Sequence, residues 1–177
     1  MSHAETPPDA NCGIPRACGR VVPLSTILLD NLPTAALFAL GTFILWPFGP
    51  AAALGYLAYC HLAIVLFWRL ICPHCQHFGT RQCPCGYGVV AARFFRRREG
   101  EDFRTVFARN IGIMFPCWFV PAGFGAYLLW RDPGAGRVAL FAAFCLLGFV
   151  AIPLIAKLVG CRGCEIRDQC PWMSRKT

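Results

Sequence analysis

The chain has 177 residues, 56% of them hydrophobic and 15% charged, with a formal net charge of +8. Its mean hydropathy of +0.51, together with 15 Phe and 5 Trp, represents more apolar surface than so short a chain encloses as a water-soluble globule. Such hydropathy excludes disorder, and a folded basic domain for nucleic acid is excluded because the charge lies between apolar runs and not on one polar face.

Residues 1–23 contain Glu5, Asp9 and four prolines but no apolar core segment, so they read as an N-terminal tail and not as a cleaved leader. A first hairpin is expected over 24–71, with spans Leu24–Trp46 and Ala51–Leu70 joined by a turn dense in Pro and Gly. A loop follows over 72–110. A second hairpin occupies 111–159, with spans Ile111–Trp130 and Val138–Ala156, and a tail runs over 160–177. Each apolar run is near the ~20 residues that cross ~30 Å of hydrocarbon as a helix. None alternates with period two, and a lone lipid-facing strand leaves its backbone unpaired. The expected class is an all-α integral membrane protein, a bundle of four transmembrane helices.

Orientation comes from the basic residues. Arg16 and Arg20, eight Arg from Arg69 to Arg109, and Lys157, Arg162, Arg167, Arg175 and Lys176 fall on one side, against Arg131 and Arg137 on the other. The positive-inside rule puts both termini and the central loop in the cytoplasm and the protein in the cell inner membrane. Trp46 and Trp130 are expected at the outer interface, Trp68 and Trp118 towards the inner one.

Nine of the twelve cysteines fall on that inner side: Cys12, Cys18, Cys72, Cys75, Cys83, Cys85, Cys161, Cys164 and Cys170. In a reducing compartment, clustered thiols point to metal ligands or redox groups and not to disulfides. Two triads follow the pattern C-x2-C-x7-C-P at Cys72, Cys75 and Cys83, and C-x2-C-x5-C-P at Cys161, Cys164 and Cys170. Each comes after one hairpin, which suggests two parallel hairpin-plus-cysteine repeats. Cys85 is the expected fourth ligand of the first set, and Cys12 or Cys18 of the second, with His74 and His77 less favoured. Thiolate sets of this kind hold zinc or iron–sulfur clusters. In topology and Cys-Pro endings the chain resembles four-helix membrane subunits that take electrons from quinol, although those have three residues between their first two ligands and this chain has two.

Within the spans, Cys60, His61 and Cys145 share a similar depth and would form a relay for a soft cation if they converged on the bundle axis. Asp30 interrupts the first span, with Lys157 as its expected ion-pair partner. From Val89 to Asn110, Phe94, Phe95, Phe103, Val106 and Phe107 supply an apolar stripe and Arg93, Arg96, Arg97 and Arg98 a basic one. Gly100 divides this segment into two short helices expected to lie on anionic headgroups of the inner leaflet.

The expected function is electron transfer from a cytoplasmic donor, through iron–sulfur or related thiolate-bound centres, to quinone or a partner subunit. The alternatives are a soft metal-ion transporter and a zinc-fastened membrane scaffold.

Overall fold

The computed structural model describes residues 21–160. All regular structure among them is helical: α1 Leu24–Leu45, α2 Pro50–Leu70, α3 Tyr87–Phe94, α4 Phe103–Asn110, α5 Phe115–Arg131, α6 Ala135–Cys145 and α7 Ile152–Ile155, with short 3-10 and π turns between them. These combine into four stretches long and apolar enough to cross a membrane, Leu24–Phe48, Pro50–His74, Phe103–Arg131 and Ala135–Val159.

The boundaries have local causes. The chain leaves α1 through a 3-10 turn at Trp46–Phe48 and a left-handed Gly49 (φ 107°), and Pro50 then starts α2. Proline suits that first position because its missing N–H has no helical acceptor to lose. The second turn is closed by Arg137, which pairs with the Asp132 carboxylate and donates to its backbone carbonyl. Asp102 caps α4, its Oδ2 accepting from the Thr105 N–H at 3.1 Å.

α1 is the hub of the bundle, packing against α2, α5, α6 and α7. Two apolar clusters flank it. Phe38 and Leu45 meet Ala53, Tyr56, Cys60 and Ala63 of α2 and Cys117 of α5, while Leu37 and Ile44 meet Phe144 of α6. α1 comes this close because Gly41 has no side chain: a Cβ there would lie 2.5 Å from the Tyr56 hydroxyl. Between 11% and 22% of each span's most apolar window is buried within the protein, so most of its side chains are left for lipid to cover.

Three features differ from the sequence reading. The third span begins at Phe103 instead of Ile111, because a 3-10 turn at Ile111–Met114 carries α4 into α5 without a break. At ~1.5 Å per residue those 29 residues measure about 43 Å, longer than the ~30 Å of hydrocarbon that a span has to cross. Its apolar face is also not all free for lipid: Val106 is buried and Phe107 packs edge-on against Phe67 of α2. Finally, the fourth span is interrupted by π turns at Leu146–Ala151 and Ala156–Gly160, and Trp118 of α5 donates to the Gly148 carbonyl at 3.1 Å. Trp118 thus packs among the core clusters.

Candidate functional site

The first cysteine set lies on a compact loop at the end of α2. Pro73 cannot continue that helix, and the chain turns through a 3-10 segment at Cys72–His74. Successive turns follow: the Cys75 N–H donates to the Cys72 carbonyl at 3.0 Å, the Phe78 N–H to the Cys75 carbonyl at 3.0 Å and the Gly86 N–H to the Cys83 carbonyl at 3.0 Å. Gly86 then adopts a left-handed φ of 74° as the residue just before α3. The loop folds back on itself where the Gly79 N–H reaches the Gly88 carbonyl at 3.1 Å. No side chain fits at Gly88, since a Cβ would stand 2.7 Å from the His77 carbonyl and 3.4 Å from the Cys83 sulfur.

Two contacts dock this loop on the start of the first span. The Val22 N–H donates to the Arg81 carbonyl at 2.9 Å, and Asn31 Nδ2 donates to the Cys85 carbonyl at 3.0 Å while also bonding the Ile27 carbonyl of its own helix at 2.7 Å. Tyr87 stacks edge-on against Trp68 and Phe67 of α2, with ring centroids 5.8 and 6.0 Å away.

The Cys83 and Cys85 sulfurs are 3.5 Å apart. Cys83 is buried and accepts the Gly88 N–H at 3.3 Å, one of the donors that the first turn of α3 leaves without a helical partner. The Cys85 thiol, aided by peptide N–H groups at Gly88, Cys85 and Gly86, outweighs burial and brings the Cys83 thiol down to about 6. The same contact with Cys83 holds the proton on Cys85, with burial acting in the same direction. The pair is therefore asymmetric: the donors around Cys83 favour its thiolate, while the contact with Cys83 favours the protonated form of Cys85.

Of the sequence-predicted ligands, Cys83 and Cys85 are brought into contact, and Cys72 and Cys75 share the preceding turn, the Cys75 N–H bonded to the Cys72 carbonyl. Among the described residues no three His, Cys, Asp or Glu side chains are gathered to hold a metal ion. Cys12, Cys18, Cys161, Cys164 and Cys170 lie outside the described residues. The fit to a metal centre is therefore that of a partial site. A tetrahedral zinc with ~2.3 Å Zn–S bonds has an S–S edge of about 3.8 Å, close to the Cys83–Cys85 separation. In addition, His74 Nδ1 is buried without a hydrogen-bond partner among the described residues. Soft sulfur donors and an imidazole suit zinc, and the sulfurs suit an iron–sulfur cluster.

Two sequence expectations are corrected. Cys60, His61 and Cys145 do not converge. Cys60 is fully buried in contact with Cys117 and Tyr56, His61 is exposed and bonds the Leu57 carbonyl of its own helix, and Cys145 packs beside the Leu37–Ile44–Phe144 cluster. The angular positions of the three residues about their helix axes separate them despite their equal depth. Asp30 likewise makes no ion pair with Lys157 among the described residues. Its charge instead acts on Cys85 and Tyr87, because its helix face looks onto the cysteine loop.

Sequence reasoning missed the Tyr56 hydroxyl, which donates to the Cys117 carbonyl at 2.8 Å, the anchoring role of Asn31 and the steric requirement at Gly88. The only signal for Asn31 was a polar side chain beside Asp30 in an otherwise apolar run.

No known protein family, curated protein or solved structure matches this chain.

Proposed function

We propose that the protein is an electron-transfer component of the cell inner membrane, with both termini and the cysteine loop in the cytoplasm. A thiolate-bound iron–sulfur or related metal centre would form around Cys83 and Cys85. The observation that carries this reading is the 3.5 Å sulfur pair with a peptide N–H aimed at one member, on a loop bonded to the start of the first span. Cys72 and Cys75, at the start of the same loop, are its proposed further donors. Cys161, Cys164 and Cys170, with Cys12 and Cys18, are the donors of a second centre or the remaining ligands of the first, brought to the same membrane side by the parallel repeat of the two hairpins. Arg93 in the last turn of α3 and Arg96, Arg97 and Arg98 after it meet anionic headgroups or an acidic electron donor, and electrons pass to quinone or a partner subunit.

Protein purified without oxygen is expected to be brown, to contain iron and acid-labile sulfide and to give an electron paramagnetic resonance signal when reduced. Replacing Cys83 and Cys85 together with Ser should remove that signal. Colourless protein with stoichiometric zinc overturns electron transfer in favour of the zinc-fastened scaffold.

A further inference from the structure

The first turns of α1, the end of α2 and the start of α3 border a cleft of about 550 Å³, a size within the range of small-molecule sites, about 300–1,000 Å³. On α1 its wall is Leu24, Ile27 and Asn31, spaced by three and then four residues and so on one helix face. Seven residue steps cover about 10 Å, and the cleft therefore runs lengthwise beside the first span. Val89 and Val90 of α3, with Val21 and Val22 before α1, complete a mainly aliphatic lining. The amide of Asn31 already donates to the Ile27 and Cys85 carbonyls, so it makes no polar demand on an occupant.

Val21, Leu24 and Val90 are exposed, and Leu24 is the first residue of a stretch able to cross a membrane. The mouth thus lies where that span leaves the hydrocarbon. A wall this aliphatic gives water few partners, and the apolar medium outside it is acyl chain, which matches both the lining and the direction of the cleft. Arg81 is the one charged residue of the wall. It is exposed, makes no ion pair among the described residues, and is held beside the start of α1 by the bond from the Val22 N–H to its carbonyl. A long basic side chain at a membrane edge places its head among the lipid headgroups. No acidic residue lines the cleft, so an ammonium-bearing headgroup finds no partner there and an anionic one does. The chain's own residues before Val21, Arg16-Ala17-Cys18-Gly19-Arg20, are a poorer match, being basic and short of aliphatic side chains.

We propose that this cleft holds one anionic phospholipid, an acyl chain lying along Leu24, Ile27 and Asn31 and the phosphate on Arg81. The lipid wedges between the first span and the cysteine loop, whose Cys83 and Cys85 belong to the same wall. The site goes beyond the electron-transfer reading and is independent of which ion the sulfurs hold.

The test is titration of the full-length protein with phosphatidylglycerol and with phosphatidylethanolamine, bound lipid being counted by native mass spectrometry. One phosphatidylglycerol per chain is expected at saturation, held about fivefold more tightly than phosphatidylethanolamine, the contribution of one basic side chain. Arg81→Gln should remove that preference and Arg81→Lys keep most of it. Phosphatidylglycerol carrying a diazirine in its acyl chain should label the peptides 24–31 and 87–90. Val90→Trp fills the cleft and should abolish both label and saturable binding; if that variant unfolds, the Arg81 pair and the label decide. Lipid counts that climb without a plateau, a preference that survives Arg81→Gln, or label scattered over all four spans overturns the site. So does glycerol phosphate competing as well as the intact lipid, which leaves only an anion site, and so does lipid binding seen only after removal of residues 1–20, which assigns the cleft to the N-terminal segment.

Discussion

A thiol loses its proton early when the charge left on sulfur is met by donors, and Cys83 has the Cys85 thiol and a first-turn N–H within reach. Linkage gives the sign of the consequence. Cys83 is lowered from its ordinary value of 9.0 to about 6, so its stabilising contribution is complete above about pH 9 and is lost as pH falls through about 6. Chelator-treated protein should therefore lose melting temperature across that window on acidification, and Cys83→Ala should flatten the profile there. Gly88→Ala forces a Cβ against the His77 carbonyl at 2.7 Å. Backbone is a poor absorber of such a clash, and a cost of about 1–3 kcal/mol is expected. Chemical denaturation should show that loss together with faster alkylation of Cys83 as the loop opens.

At the scale of elements, the two hairpins are joined by tyrosine hydroxyls of α2, Tyr56 donating to the Cys117 carbonyl of α5 within the apolar core and Tyr59 to the Ile113 carbonyl, each at 2.8 Å. Tyr56→Phe removes the hydroxyl and should cost about 1 kcal/mol in a denaturant series, whereas Gly41→Val should cost more by pressing on the same ring. What the sequence makes readable here is set by distance along the chain. Twenty apolar residues in a row declare a span by themselves, as 24–48 and 50–74 do, and Pro50 after Gly49 declares a helix start. The Tyr56–Cys117 and Asn31–Cys85 bonds join residues 61 and 54 positions apart, and they depend on how each helix is rotated about its axis. A sequence gives the depth of Cys60 but not that angle, which is why Cys117 and not Cys145 is its neighbour. The continuation of α4 into α5 was hidden for another reason: Asn110-Ile111-Gly112 looks like a boundary, yet a 3-10 turn bridges it.

For the whole molecule, the cysteine loop and the start of the first span share one end of the bundle. Tyr127 and Trp130 belong to the opposite end, where Phe48 of the first turn meets Phe124 and Tyr127. Basic residues crowd the cysteine end, so that end should face the cytoplasm. A membrane-impermeant maleimide added to intact cells is expected to leave Cys83 and Cys170 unlabelled, and to label both after permeabilisation of metal-free protein. Labelling from outside would reverse the topology and allow disulfides in place of metal.

The amide of Asn31 joins a membrane helix directly to the peptide that carries Cys85. A helix tilts when its apolar length and the thickness of the surrounding lipid disagree, and here any tilt of the first span would pull on Cys85, a ligand of the proposed centre. Chain length in the host lipid thus becomes a variable of the inorganic chemistry: vesicles of short-tailed and long-tailed phospholipids should hold the same protein at different midpoint potentials, and Asn31→Leu should make the two alike.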